Sequence, residues 1–109
     1  MDGFSFTGET RSALRVQPIG GIIRAVCEEY LVSQLELSSQ RRSRHLVVPR
    51  HIAFWLCKEL TLATYPEIGR MFGGRDHTTI MHGAKKIQIE VDAGSPIGQA
   101  ALKLKGALQ

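Results

Sequence analysis

No apolar run among the 109 residues approaches the roughly 20 needed to cross a bilayer. The opening stretch MDGFSFTGETR lacks a basic segment followed by an apolar one, so it does not read as a secretory signal. Cysteine is scarce. Cys27 and Cys57 lie far apart inside apolar stretches, a pattern of buried thiols in a reduced intracellular protein rather than of a disulfide. No C-x-x-C pair occurs, and His77 and His82, five apart, turn away from each other on a helix, so zinc is not expected. There is no GxxxxGK phosphate loop, hence no expected nucleotide. No stretch alternates like a strand, no internal repeat is visible, and no constellation sets a nucleophile beside a base or two carboxylates at a cleft. The expectation is an all-α protein that is not an enzyme and carries no cofactor or metal.

What is present is the composition of one ordinary domain, 43% apolar and 22% charged. Charge is unevenly spread. Residues 1–40 hold three arginines against five acids, whereas residues 41–109 hold eleven lysines and arginines against five. Arg41 to Lys58 contains five basic residues and no acid. This asymmetry suits a polyanion partner, and it equally suits a solvated basic face; charge alone does not choose.

Along the chain, residues 1–16 lack periodicity and read as a flexible arm carrying Phe4 and Phe6, with residues 17–109 forming the domain. From Ile19 to Leu37 the apolar residues recur in steps of three and four, which predicts an amphipathic helix ending near Gln34, with Leu35 to Ser38 as a turn. Ser38 to Val48 reads as an arginine-dense loop. Pro49 then opens a helix to Leu62, apolar around most of its circumference and therefore central. Thr64-Tyr65-Pro66-Glu67 fits a capping box ahead of a short helix through Phe72. Gly73 and Gly74 stop it, and Asp76 caps the next helix, from about His77 to Val91, with Ile80, Ala84, Ile87 and Val91 as its buried stripe. After Gly94, Ser95-Pro96 starts a last amphipathic helix. A short capped helix, a glycine turn and a striped second helix make a helix-turn-helix, whose second helix presents its first turn to base edges in the major groove. Here that turn carries His77, Thr78 and Thr79, and Arg75 just before it can reach a phosphate or a base. A helical hairpin with an ordinary glycine turn would show the same periodicity.

The segment GGRDHTTIMHGAKKI, with RRSRHLVVPRHIAFWLCKELT and YPEIGRMF upstream, resembles the C-terminal DNA-binding domain of the bacterial replication initiator DnaA. The resemblance runs in register from about Ile19 to Val91. It implies a compact domain of about five helices, similar to those of Trp repressor and the DnaA C-terminal domain, and a double-stranded DNA partner with a DnaA-box-like site and an A·T-rich flank. It also implies the roles. Arg42 matches an arginine inserted into the minor groove. Arg50 and Lys58 match phosphate-contacting positions, and Pro66 a residue near the DNA surface. Asp76, His77, Thr78 and Thr79 match the base-reading set, and Lys85 with Lys86 a basic pair at phosphate or in solvent. Arg41 and Arg44 would add phosphate attraction. Gln40, Val48 and Tyr65 depart from residues common in the family and put backbone contacts there in doubt.

The resemblance further implies a protein of the bacterial cytoplasm and nucleoid, acting without the ATPase module in replication initiation or in transcription. A different class of reading remains beside it: a protein-interaction module using residues 1–16 or the C-terminal helix, with DNA contact secondary.

Overall fold

A computed structural model of the chain describes residues 18–109; the expectations for the N-terminal arm, Phe4 and Phe6 lie outside the described residues. The described chain is wholly helical: α1 (Ile19–Tyr30), α2 (Gln34–Ser38), α3 (Arg44–Leu60), α4 (Tyr65–Met71), α5 (His77–Ala93) and α6 (Pro96–Leu108). The all-α class is as expected, with six helices in place of about five.

The extra helix comes from the first segment. α1 stops at Tyr30 because Leu31 takes a left-handed conformation, φ 56° and ψ 45°, and its N–H closes on the Cys27 carbonyl. Ser33 then starts α2 with a complete capping box. Its hydroxyl accepts from the Glu36 N–H at 3.0 Å, and the Glu36 carboxylate accepts from the Ser33 N–H at 3.0 Å. The expected turn from Leu35 to Ser38 is thus a helix, and its one buried residue is Leu37.

α3 begins five residues before Pro49, at Arg44, so the residues read as the end of a loop are its first turns. A proline inside a helix removes one hydrogen bond and costs about 3 kcal/mol. Leu46 and Pro49 are both fully buried here, and burying one such aliphatic side chain returns about 1.5–3 kcal/mol. Beyond the proline, Ile52 to Cys57 are all buried. Such a helix needs neighbours on every side, and α3 packs against all five other helices.

The helix-turn-helix is α4, Phe72 to Asp76, and α5. Thr64 and Glu67 form the expected capping box, with the Thr64 N–H donating to the glutamate at 2.7 Å. The turn folds back on α4, where the Gly69 carbonyl accepts from the N–H groups of Gly74 and Arg75, both at 3.0 Å. Gly73 and Gly74 supply the positive φ values, 77° and 76°, that this reversal requires. Phe72 is fully buried, edge-on to Phe54 with ring centres 4.9 Å apart, and ties the motif to α3. On α5, Ile80, Ala84 and Ile87 are buried and Val91 is half-buried. Its helix ends at Gly94, and α6 returns across it from the Ser95 cap.

Two glycines make opposite predictions. A Cβ on Gly69 would lie 2.1 Å from the Arg75 carbonyl oxygen, whereas one on Gly20 would meet nothing within 4 Å. Gly69→Ala will destabilise the fold by about 2 kcal/mol or more because backbone must move. Gly20→Ala will stabilise it by roughly 0.5 kcal/mol through helix propensity. Urea unfolding midpoints at constant slope check both.

Candidate nucleic-acid interface

The first turn of α5 is held open to solvent from within. The Asp76 side chain accepts the Thr78 N–H at 3.2 Å, satisfying one of the helix's free donors. Its other carboxylate oxygen lies 3.5 Å from His77 Nδ1. Asp76, His77 and Thr79 are exposed and Thr78 is half-buried, so all four expected base-reading residues sit at one outward-facing helix end.

The arginine-rich segment shares a cleft with that helix end. Arg42 is exposed and lines, together with Arg50, Arg75, Asp76 and Thr79, a cleft of about 410 Å³. Arg42, Arg44 and Lys86 border an adjoining hollow of about 310 Å³. Lys58, Tyr65 and Lys85 border a third depression, with Trp55 in its floor. There the Lys58 ammonium stands 4.4 Å from the centre of the Tyr65 ring. The neighbours Lys85 and Lys86 thus face different flanks of α5, each beside basic residues from α3. Pro66 is exposed at the start of α4. Arg41 is exposed and loosely paired with Glu36 at 3.8 Å.

Two expected contact residues line the 410 Å³ cleft but spend their guanidinium donors on backbone. Arg50 is only 5% exposed. Its guanidinium donates to the carbonyls of Leu37 at 2.8 Å, Arg41 at 3.0 Å, Ser39 at 3.2 Å and Glu36 at 3.3 Å. A guanidinium whose donors are committed to carbonyls has little left for a phosphate, so its place is structural. Burial, and then the charge of Arg75, lower its pKa. Arg75, half-buried, donates to the carbonyls of Phe72, Ser38 and Ser39 instead of extending toward the α5 tip. A count of charges along a sequence carries no direction, which is why neither orientation was readable.

His51, a zinc candidate set aside on sequence grounds, has no expected part in the DNA site. It stands in the walls of both the 410 Å³ and the 310 Å³ clefts. Burial first, then Lys86, Arg50 and Arg75, hold its pKa below the ordinary 6.5. Its sequence signal is its place inside the basic stretch from Arg41 to Lys58. Cys57 is buried with its thiol pushed up to about 12 by burial alone, and both cysteines are free.

The family model described as the bacterial dnaA protein helix-turn-helix matches residues 19–87. The chain belongs to the DnaA helix-turn-helix family. Among its relatives are chromosomal replication initiator proteins DnaA. That of Jannaschia sp. (strain CCS1) is 44% identical over 88 residues, 81% of this chain and 18% of the relative. That of Xanthobacter autotrophicus is 47% identical over 87 residues, 80% of this chain and 17% of the relative. That of Nitrobacter hamburgensis is 42% identical over 106 residues, 93% of this chain and 22% of the relative. The chain therefore spans about a fifth of these DnaA relatives. The DnaA family match covers α1 to α4 and most of α5, which includes the residues lining the Arg42–Thr79 cleft.

Replacing Arg50 with methionine removes a charged donor from four carbonyls, of which Glu36 keeps the Ser39 N–H and hydroxyl and Ser39 keeps Arg75. Arg50→Met will lower the unfolding free energy by about 3 kcal/mol or more, and Arg50→Lys will recover only part, since an ammonium cannot span the set. Equilibrium denaturation of both variants measures this.

The depressed pKa of His51 means that folding favours its neutral form. Its stabilising contribution is complete above the ordinary value of 6.5 and is lost as pH falls through the lower folded-state value. The unfolding free energy of the wild type should drop between pH 7.5 and pH 5 by more than that of His51→Gln.

Proposed function

We propose that this domain binds double-stranded DNA sequence-specifically, reading a DnaA-box-like site without nucleotide. In this reading the α5 tip enters the major groove. Thr78 and Thr79 offer hydroxyls to base edges and methyls to thymine, Asp76 offers an acceptor for a cytosine amino group, and His77 offers a ring nitrogen. Arg42 enters the neighbouring minor groove where an A·T-rich flank narrows it and deepens its negative potential. Arg41, Arg44 and Lys86 on one flank of α5, and Lys58 and Lys85 on the other, meet the two phosphate strands that border the groove, with Pro66 near the DNA surface. One domain gripping from two grooves needs no dimer to cover its site.

The observation that carries this reading is the shared cleft, lined by Arg42 together with Asp76 and Thr79. Family membership supports it, because the matched relatives are named as chromosomal replication initiators. The biological setting that follows is the bacterial cytoplasm, at the nucleoid, in control of replication initiation or of transcription. Among the described residues no helix is long and apolar enough to cross a membrane.

Selection of bound duplexes from a random library gives the site, and variants then apportion it. Thr78→Ala and Arg42→Ala should each cost about 1–3 kcal/mol and relax preference at one or two base pairs, in the box and in its flank respectively. Lys85→Ala should weaken every duplex alike and lower the salt slope by about one. A wild-type chain that bound all duplexes equally, through charge alone, would end the proposal.

A further inference from the structure

Arg75 occupies the last position before the Asp76 cap, yet its guanidinium spans to a different part of the chain. It donates to the Ser38 carbonyl at 3.2 Å, to the Ser39 carbonyl, and to the Phe72 carbonyl at 2.6 Å. Ser38 and Ser39 end α2 and lead directly into Arg41 and Arg42. The same turn touches the same place a second time: a Cβ on Gly73 would lie 2.6 Å from the Ser38 carbonyl oxygen. From the other side, Arg50 holds the carbonyls of Ser39 and Arg41. The Ser39 oxygen therefore accepts from both arginines. Among the described residues Arg75 makes no ion pair, so its charge is spent on backbone carbonyls rather than on an acid.

We propose that Arg75 is a positioning residue: by fastening the helix-turn-helix turn to the base of the Arg42 segment, it sets the base-pair offset between minor-groove flank and major-groove box. This rests on the two-groove reading above. Two contacts on one body reinforce each other only when the link between them matches the spacing of their targets. One base pair moves a target by about 3.4 Å along the duplex and by about a tenth of a turn around it. A loosely attached Arg42 would follow such a shift; one fastened at Ser38 and Ser39 would not. The guanidinium suits this task because its planar fork reaches several carbonyls in a fixed geometry, which a lysine ammonium does not.

The test uses the full chain and four duplexes derived from its selected site: the box with its A·T flank, the box with a G·C flank, the box with the A·T flank displaced by one inserted base pair, and a scrambled box with the A·T flank. Affinities are measured for the wild type, Arg75→Gln, Arg75→Lys, Arg42→Ala, and the Arg42→Ala/Arg75→Gln double variant, with thermal unfolding as a check of folding. The wild type should favour the A·T flank by about tenfold and lose that gain when the flank is displaced. In Arg75→Gln the flank preference should fall several-fold and the displacement penalty should vanish, while preference for the true over the scrambled box persists. Adding Arg75→Gln to Arg42→Ala should change the flank preference no further. If Arg75→Gln does not fold, Arg75→Lys, which keeps the charge without the span, carries the same comparison.

A uniform loss on all duplexes with flank preference and displacement penalty intact would overturn the positioning role in favour of a phosphate contact. Relaxed preference at a single pair inside the box would overturn it in favour of direct reading. A wild type with no flank preference sinks the two-groove reading and this inference together. A wild-type flank preference that survives in Arg75→Gln sinks the inference alone.

Discussion

A buried guanidinium meeting four backbone carbonyls is the constraint on which the binding face is built. α2 has five residues, too few to persist alone. The segment that follows it, residues 39–43, has no regular structure to satisfy its own carbonyls. Arg50 supplies donors from the side of α3 to Glu36, Leu37, Ser39 and Arg41, sharing the Glu36 oxygen with Ser39 and the Ser39 oxygen with Arg75. Each hydrogen bond from a charged donor contributes about 1.5–3 kcal/mol, against a desolvation cost of several kcal/mol for bringing the cation inside. Desolvation offsets part of that gain, and any other path for residues 36–41 strands the charge or some of the carbonyls. The cation defines the shape of the arm more than it strengthens the fold.

That division separates the basic residues into two populations. Arg50 and Arg75 face backbone, and Lys105 faces Glu59 at 2.8 Å beside Trp55. Arg41, Arg42, Arg44, Lys85 and Lys86 are exposed. The sequence-wide excess of positive charge therefore overstates the charge offered to a polyanion. Of what remains outside, Arg42, Arg44 and Lys86 border a hollow on one flank of α5 and Lys85 one on the other, while Arg24, Arg70 and Lys103 are exposed away from both. An arrangement of that kind suits a duplex groove bordered by two phosphate strands better than a single strand or a flat anionic surface.

Much of this was legible in the residues. Apolar spacing gave the helical class, Thr64 and Glu67 gave the start of α4, and Asp76 gave the cap of α5, because each signal acts within one turn of chain. The errors arose where two local signals competed. Ser33 and Glu36 carry the same box as Thr64 and Glu67, but the three-and-four apolar rhythm continuing through Leu35 and Leu37 hid the break that Leu31 makes in a left-handed conformation. Pro49 reads as a helix start on local grounds, yet buried Leu46 draws the preceding residues into α3. Neither Gly69 nor Arg75 reveals its use, since both depend on segments that meet only in the fold: Gly69 on the backbone of Arg75, and Arg75 on Ser38 and Ser39, 37 and 36 positions away.

The density of polar chemistry at the α5 tip follows from one helix end serving two purposes. A helix start exposes backbone N–H groups that need acceptors, and a groove reader must expose polar atoms to base edges. Asp76 meets both demands because a carboxylate has two oxygens with several acceptor sites. One is taken by the Thr78 N–H, and the other faces outward beside His77. The cap thereby fixes the reader. A carboxylate already held by the backbone loses little freedom on meeting a base, so more of the interaction survives as selectivity. Thr78 completes the same economy in reverse: its backbone N–H is given to the cap while its side chain stays half-open to the groove side. An apolar residue at either position would leave a helix without a fixed start or a tip without a legible edge, which is why this turn is polar although α5 is otherwise an ordinary core helix.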